Sequence, residues 1–210
     1  MIKILIADDH SIVREGLKQI VAESAEMAVR GEAVNGQQVL ELVHKADFDL
    51  ILLDIGMPGR GGIDTLKQLK IIKPEIPVLI LSMYPEDQYA IRAIKAGASG
   101  YLTKESAPEE LIGAIEKVAQ GGKYVSARLA EKLVENLGED TENPDHAMLS
   151  DREYQVMIMI ATGKTVKEVG DELSLSVKTI STNRTRALKK LRMKNNAEFT
   201  YYAIKQGLVD

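Results

Sequence analysis

The sequence contains no cysteine among its 210 residues, so disulfide bonds and thiolate metal sites are excluded. It also lacks an apolar run approaching the roughly 20 residues that an α-helix needs to span a bilayer. The amino terminus has no charged segment, apolar segment and cleavage site in succession. We therefore expect a cytoplasmic location without membrane association. Hydrophobic residues make up 45% and charged residues 28%, which is typical of a globular chain with one or two domains.

Charge is divided unevenly along the chain. The formal net charge is −4, from 27 Lys and Arg against 31 Asp and Glu. Residues 145–210 hold 11 of the basic and 8 of the acidic residues, which leaves 16 basic and 23 acidic residues in 1–144. An acidic first part and a basic second part indicate two domains with different partners.

Residues 1–120 alternate between apolar, β-rich runs and segments of helical periodicity. Five such pairs predict a parallel, doubly wound α/β sheet. The strand candidates are Ile2–Ala7, Ala28–Val34, Leu50–Leu53, Val78–Leu81 and Gly100–Leu102. The helix candidates are Ile12–Glu23, Gln37–Lys45, Gly62–Ile72, Asp87–Ala96 and Pro108–Gln120.

Polar side chains follow four of the predicted strands. The first strand ends in Asp8 and Asp9, the third in Asp54, the fourth in Ser82 and the fifth near Lys104. Because the carboxyl ends of parallel strands meet at one edge, these side chains are expected to converge. Three carboxylates repel one another unless a cation lies among them, and oxygen ligands without cysteine favour Mg²⁺. Such a site can take a phosphoryl group on one carboxylate, with the lysine and serine binding the phosphoryl oxygens.

Each of these residues alone also has an ordinary structural explanation. An aspartate pair before a helix is commonly an N-cap, and Asp54 alone can cap a loop. A serine at a strand end is usually a turn residue, and a lysine there is usually solvated. The joint placement at the ends of the expected strands favours a reactive site. His10 is expected to be a loop residue rather than a catalyst.

Residues 2–120 resemble the receiver domain of two-component response regulators. The resemblance rests on Asp8-Asp9-His10, on Asp54 with Met57-Pro58-Gly59, and on Ser82 and Lys104. It implies a flavodoxin-like (βα)₅ fold with strand order 2-1-3-4-5. It also implies that Asp54 accepts a phosphoryl group from a sensor histidine kinase.

The same resemblance implies roles for the surrounding residues. Asp9, Asp54 and the backbone carbonyl of Gly56 would hold Mg²⁺, with Asp8 assisting through water. Ser82 and Tyr101 would form a coupled switch pair, in which the hydroxyl turns towards the phosphoryl group and the ring follows into the vacated space. Gly56 departs from the family, where larger side chains are common, and this leaves the lifetime of the phosphoryl group open.

Residues 121–147 are expected to link two domains. Ser126–Leu137 has an amphipathic helical pattern with Ser126 as a possible N-cap. Residues 138–147 are polar and contain Pro144, which indicates a flexible connector.

Residues 148–210 have helical periodicity throughout and predict a smaller, all-α domain of four helices. Ser150 and Glu153 form a capping box for the first helix, and Ser176 caps the third. The four helices are expected near 151–161, 165–173, 177–193 and 198–206. The second and third, joined by a tight turn, form a helix-turn-helix unit.

The third of these helices is basic. No acidic residue occurs between Leu173 and Ala197. A merely solvated helix would normally mix charges of both signs, so this pattern favours the phosphate backbone of double-stranded DNA.

Residues 148–210 also resemble the LuxR-type domain of the NarL/FixJ subfamily of response regulators, with the helix-turn-helix motif at Thr165–Arg184. By that resemblance, Ser181, Thr182 and Thr185 face base edges in the major groove. Lys178, Thr179, Arg184 and Arg186 would meet phosphates, beside Lys189 on the same basic helix. The matching residues are Leu149-Ser150, Arg152-Glu153, Gly163, Lys167-Glu168-Val169, Leu173, Ser176, Lys178-Thr179-Ile180, Leu188-Lys189-Lys190-Leu191 and Ala197-Glu198. Gly170 and Asn183 depart from the family, where alanine and histidine are usual.

Three hypotheses follow. In the first, the chain is a transcription regulator in which phosphorylation of Asp54 frees the recognition helix or pairs two chains on two half-sites. It would then be no enzyme beyond its own phosphoryl transfer and dephosphorylation. In the second, it is a haloacid-dehalogenase-type phosphatase, but Asp8-Asp9-His10 lacks the second carboxylate two residues beyond the nucleophile. In the third, it binds DNA and the receiver is an inert dimerisation module.

Overall fold

The computed structural model describes residues 1–138 and 145–209. The chain forms two compact units, Met1–Leu133 and Val134–Asp210. The first unit is an α/β domain, and the second is helical. None of the helices in the described ranges is long and apolar enough to cross a bilayer.

A five-stranded parallel sheet of order β2-β1-β3-β4-β5 forms the centre of the first unit, and this confirms the predicted topology. Strands β3 and β4 are buried along their whole length because their runs of leucine, isoleucine and valine have no polar face for water. The strands are β1 (Ile2–Ala7), β2 (Met27–Ala33), β3 (Leu50–Asp54), β4 (Val78–Ser82) and β5 (Gly100–Thr103).

Helices cover both faces of the sheet. The residues of α1 and α5 share one core with alternate residues of the strands, such as Ile4, Leu50 and Leu79. The intervening residues, such as Leu5 and Ile51, are also buried and point to the opposite face, where α2, α3 and α4 pack. The helices are α1 (Ser11–Ala22), α2 (Gly36–Lys45), α3 (Gly62–Ile72), α4 (Glu86–Lys95) and α5 (Pro108–Ala119).

Residues 121–133 continue the first unit. Tyr124 makes an isolated parallel bridge with Gly100 at the β5 edge. The Ser126 hydroxyl donates to Glu86 Oε2 over 2.5 Å at the start of α4. Ser126 Oγ also accepts the N–H of Leu129 at 3.1 Å and thereby caps α6 (Ala127–Gly138). Of the expected flexible connector, residues 139–144 lie outside the described residues, and Asp145–Met148 form a 3₁₀ turn.

The second unit contains the four predicted helices. The Ser150–Glu153 capping box is present, and a second box joins Thr165 to Glu168 at the next helix. Gly163, at a φ of +94°, follows the first of these helices. The helices are α7 (Asp151–Ala161), α8 (Val166–Glu172), α9 (Val177–Lys190) and α10 (Asn196–Lys205).

Two helix ends differ from the prediction. Helix α9 ends at Lys190 rather than near Met193 because Arg192 has a φ of +56°, which a right-handed helix does not allow. Helix α10 begins two residues before Glu198, because the Asn195 side chain accepts the Glu198 N–H at 3.1 Å and forms the N-cap.

Candidate functional site

The carboxyl edge of the sheet brings together the charged residues that the sequence predicted there. Asp8 and Asp54 are 1% and 4% exposed. The Lys104 ammonium lies 2.5 Å from Asp8 Oδ2 and 3.3 Å from Asp54 Oδ1. A cation shared by two buried carboxylates offsets their mutual repulsion, which would otherwise be large in a poorly solvated site.

The backbone fixes these side chains. Asp54 is the last residue of β3 and pairs with Leu81 of β4. The N–H of Lys104 donates to the Ser82 carbonyl at 2.8 Å. A Cβ atom on Gly62 would lie only 2.1 Å from the Asp54 carbonyl oxygen, so α3 can begin against the Asp54 backbone only because residue 62 is glycine.

The environment of Asp54 disfavours its charge. Burial raises the pKa of Asp54 to about 6, against the opposing effect of the Lys104 ammonium. The neighbouring Asp8 carboxylate adds to the rise, while the Gly56 N–H bonds the Asp54 carboxylate and lowers the pKa. Additional positive charge at this edge would therefore favour the ionised form of Asp54.

Asp9 and His10 lie at the rim of the same edge. Asp9 Oδ1 is buried and accepts no hydrogen bond from the described residues, although His10 Nδ1 lies 3.2 Å away. Asp8 Oδ1 accepts the His10 N–H at 2.9 Å. His10, not either aspartate, is the N-cap residue of α1, and its side chain makes no capping bond. The N-cap explanation of the acid pair therefore does not hold in this structure.

Ser82 and Tyr101 interact directly through a side-chain hydrogen bond and are also connected through the backbone of Tyr84. Ser82 Oγ accepts the N–H of Tyr84 at 3.0 Å, and the Tyr101 hydroxyl donates to the Tyr84 carbonyl at 2.8 Å. Both side chains are fully buried, and this burial raises the pKa of Tyr101. The ring is thus already inside the fold, and its response to phosphorylation stays a prediction.

Arg14 was not among the residues predicted for this edge, yet its guanidinium contacts the Asp8 carbonyl. The sequence contains only a weak indication that Arg14 has a partner at this edge. Arg14 is the fourth residue of α1, where the helix dipole disfavours a cation. A cation at that position requires a compensating partner, which the sequence alone does not identify.

Helix α9 presents most of the residues predicted to contact DNA on its solvent side. Lys178, Thr182, Thr185 and Lys189 recur at helical spacing and are exposed, as are Thr179 and Arg186, while Ser181 is half-buried at the margin. Arg184 differs from the others. It is half-buried, and its Nε donates to Asn196 Oδ1 of α10 at 2.5 Å.

The turn between α8 and α9 is tight. Ser174 has a φ of +51°, and the Leu175 N–H donates to the Gly170 carbonyl at 2.8 Å. A Cβ on Gly170 would lie 2.9 Å from the Leu175 carbonyl oxygen. The close approach of the turn to α8 therefore requires a small residue at position 170.

Both units match known protein families. The family model described as "Response regulator receiver domain" matches residues 4–116. The model described as "Bacterial regulatory proteins, luxR family" matches residues 147–203. The chain is 35% identical over 211 residues to Response regulator GacA of Pseudomonas aeruginosa, covering 100% of this chain and 99% of GacA.

Two solved structures of another regulator are also similar. RcsB from Salmonella enterica serovar Typhimurium, bound to promoter rprA in the presence of the phosphomimetic BeF₃⁻, is 27% identical with a TM-score of 0.65, covering 96% of this chain and 97% of RcsB. A structure of two RcsB dimers bound to two parallel DNAs is 25% identical with a TM-score of 0.61, covering 100% and 99% of the two chains. With both units matched in order, the chain belongs to the two-component response regulators that join a receiver domain to a LuxR-type DNA-binding domain.

Proposed function

We propose that Asp54 accepts a phosphoryl group from a sensor histidine kinase in a Mg²⁺-dependent reaction, and that this alters dimerisation and DNA binding. The observation that carries the proposal is the Lys104 ammonium shared by the buried carboxylates of Asp8 and Asp54. It places a fixed positive charge beside the acceptor oxygen, where the negatively charged phosphoryl oxygens arrive during the transfer. The chain catalyses only its own phosphoryl transfer and dephosphorylation.

The residues at the sheet edge fit a bound Mg²⁺. Asp8, Asp9, Asp54 and the Gly56 carbonyl would hold it, and the buried Asp9 Oδ1, without a hydrogen bond from the described residues, offers a free acceptor oxygen. When bound, Mg²⁺ supplies positive charge that stabilises the transferring phosphoryl group. Lys104 would then bind phosphoryl oxygens as a point charge. The Ser82 hydroxyl, which now accepts the Tyr84 N–H, would turn and donate a hydrogen bond to the phosphoryl group.

The surroundings of the acid edge suit a protein partner. Ile12 in the first turn of α1 is 82% exposed, and Met83 after β4 is 66% exposed. Ile12 comes shortly after Asp8 and Asp9, and Met83 comes directly after Ser82. Exposed apolar side chains around a polar centre are typical of protein-binding surfaces, which supports a kinase domain as the phosphoryl donor.

We assign the phosphoryl reaction to residues 2–120 and DNA binding to 148–210, and residues 121–147 join the two, with 121–133 packed as part of the first unit. Lys178, Thr179, Arg186 and Lys189 would contact phosphates, and Ser181, Thr182 and Thr185 would face bases. Arg184 would contact a phosphate only after its hydrogen bond to Asn196 is broken. The DNA complexes of RcsB dimers support a homodimer on two half-sites.

Labelling by acetyl phosphate with Mg²⁺ tests the phosphoacceptor. The unchanged protein should be labelled and Asp54→Ala should not. Asp47→Ala is the matched control, because Asp47 is an exposed aspartate close to β3, and it should be labelled normally. Retained labelling of Asp54→Ala would show that another residue is the acceptor. Sustained hydrolysis of a phosphomonoester would instead favour a phosphatase.

Beryllofluoride with Mg²⁺ tests the coupling between the receiver and DNA binding. The proposal expects a change in hydrodynamic size or in DNA affinity on its addition. An unchanged size and affinity would support an inert receiver. DNA affinity should also fall steeply with salt, because phosphate contacts release counterions.

A further inference from the structure

The side chain of Arg14 connects three elements of the first unit. Its Nη1 donates to the Asp8 carbonyl oxygen at 2.8 Å, and its Nε donates to Glu32 Oε2 at 3.1 Å. The side chain is only 14% exposed. Arg14 therefore ties α1 both to the end of β1 and to β2 with charge-assisted hydrogen bonds.

The carbonyl that Arg14 holds occupies a special position in the chain. It belongs to the planar peptide unit that joins the Cα atoms of Asp8 and Asp9, which lie about 3.8 Å apart in any trans peptide. The direction of this carbonyl depends on ψ of Asp8 and φ of Asp9, so a bond that holds it restrains the backbone of both residues from which the two carboxylates project. The preceding N–H, of Asp8, is fixed by the Ala33 carbonyl at 3.1 Å, so β2 restrains one side of Asp8 and Arg14 restrains the other.

We infer that Arg14 is a positioning residue for the Asp8–Asp9 pair and sets the affinity of that pair for a divalent cation through the carbonyl of Asp8. The inference rests on the proposed function, because that function assigns Mg²⁺ to the two carboxylates. It adds a residue for which neither the sequence motif nor the resemblance gave a role.

Glu32 makes the effect of Arg14 on metal affinity geometric rather than electrostatic. Its Oε2 pairs with Arg14, and its Oε1 accepts a bond at 2.9 Å from Lys18, whose positive charge is also offset by Glu15 at 2.5 Å. The Lys18 bond holds the pKa of Glu32 below its usual value despite partial burial, with a further contribution from Arg14. Glu32 therefore stays ionised, and the guanidinium does not act as an uncompensated positive charge that repels Mg²⁺.

The test compares Arg14→Gln with Lys18→Gln in the full-length protein. Both variants remove one positive charge from α1 and one bond to Glu32, but only Arg14→Gln removes the bond to the Asp8 carbonyl. The Kd for Mg²⁺ is measured by NMR titration, and the ¹³C shift of the Asp8 carbonyl is read in metal-free protein. We expect Arg14→Gln to weaken Mg²⁺ binding by about tenfold, in the lower range for residues that orient metal ligands, and to move the Asp8 carbonyl shift. Lys18→Gln should change the Kd by less than about twofold, within the weak effect of a surface ion pair.

Equal Mg²⁺ affinities of Arg14→Gln and the unchanged protein would overturn the inference, as would equal losses in both variants. If the unchanged protein binds no Mg²⁺, the proposed function itself fails, and the two failures are thereby distinguished. Should Arg14→Gln not fold, Arg14→Lys decides the question, because a single ammonium cannot reproduce the two directed bonds of a guanidinium. A Kd for Arg14→Lys equal to that of the unchanged protein would then overturn the inference.

Discussion

The ammonium of Lys190 on α9 donates a hydrogen bond to Glu153 Oε2 on α7 over 2.6 Å. Glu153 is only 4% exposed, although it is a charged residue. Burial alone would raise its pKa, but the bonds from Lys190 and Ser150 outweigh this effect and hold the pKa of Glu153 below its usual value. One basic residue of α9 is therefore part of the internal structure of the domain rather than of its DNA surface.

Lys190→Gln should destabilise the carboxyl-terminal unit by about 1 kcal/mol, a value that allows for the partial exposure of the lysine. The lowered pKa of Glu153 means that the loss should be present at neutral pH and vanish at acid pH, once that carboxyl is protonated. Thermal unfolding at several pH values measures it. Lys189→Gln is the neighbouring control on the exposed side of α9, and it should leave stability unchanged while reducing DNA affinity and its salt dependence. Indistinguishable stabilities of the two variants would contradict the prediction.

The raised pKa of Asp54 predicts a pH dependence of stability. Its ordinary value is 3.8 and its value in the fold is about 6, so between these values the folded chain binds more protons than the unfolded chain. The free energy of unfolding should therefore fall as pH rises through this window in metal-free protein. Asp54→Asn should lack this decline and gain on the order of 3 kcal/mol relative to the unchanged protein between pH 4 and pH 7. Urea unfolding of both proteins measures the difference, and parallel pH curves would show that Asp54 titrates normally.

Gly62→Ala should disturb the phosphoacceptor strand. The added Cβ would lie 2.1 Å from the Asp54 carbonyl oxygen and 2.7 Å from the Ile55 Cα, so the backbone of one of the two elements must move. We expect a loss of about 2–3 kcal/mol and shifted amide signals around Asp54. Gly113→Ala in α5 is the control, since nothing lies within 4 Å of its added Cβ, and it should stabilise by up to about 1 kcal/mol. Similar effects of both substitutions would contradict the steric argument.

Gly170→Ala has two opposing effects of similar size on the stability of the second unit. Alanine gains about 1 kcal/mol of helix propensity in α8, but its Cβ would lie 2.9 Å from the Leu175 carbonyl oxygen, a backbone atom that cannot rotate away. We expect no net stabilisation and a displaced turn before α9, seen as unchanged or lower thermal stability together with weaker DNA binding. A clear rise in stability would show that the turn moves at little cost.

The sheet and its edge were predictable from the sequence because they follow from local patterns. An apolar run that stops at Asp54, or a strand that stops before Ser82, places the next side chain at the carboxyl edge of any parallel sheet. The four helices of the second unit were predicted for the same reason, whereas the strand order was predicted from the resemblance to receiver domains. Helix ends were less accurate, since the backbone reversal at Arg192 and the cap at Asn195 depend on single residues.

The contacts of long side chains were not predictable in the same way. Arg14, Arg184 and Lys190 are all basic residues on helices, and the sequence pattern treats them alike. Each reaches a partner that the three-dimensional packing supplies, namely the Asp8 carbonyl, Asn196 and Glu153. A basic side chain can lie along its own helix or contact a neighbouring element of the fold. Its position in the sequence does not decide which of the two occurs.

The bridge between Tyr124 and Gly100 has a practical consequence. Strand β5 is the last of its sheet, and an uncovered last strand offers backbone N–H and C=O groups to strands of other molecules. The backbone of Tyr124 pairs with part of this strand edge. Its carbonyl accepts the Tyr101 N–H at 3.3 Å, and its N–H donates to the Ser99 carbonyl at 2.9 Å. A fragment cut after Gln120 would lose this cover and tend to aggregate through β5, whereas one that continues to Leu133 would keep it, a contrast that light scattering on the two fragments would reveal.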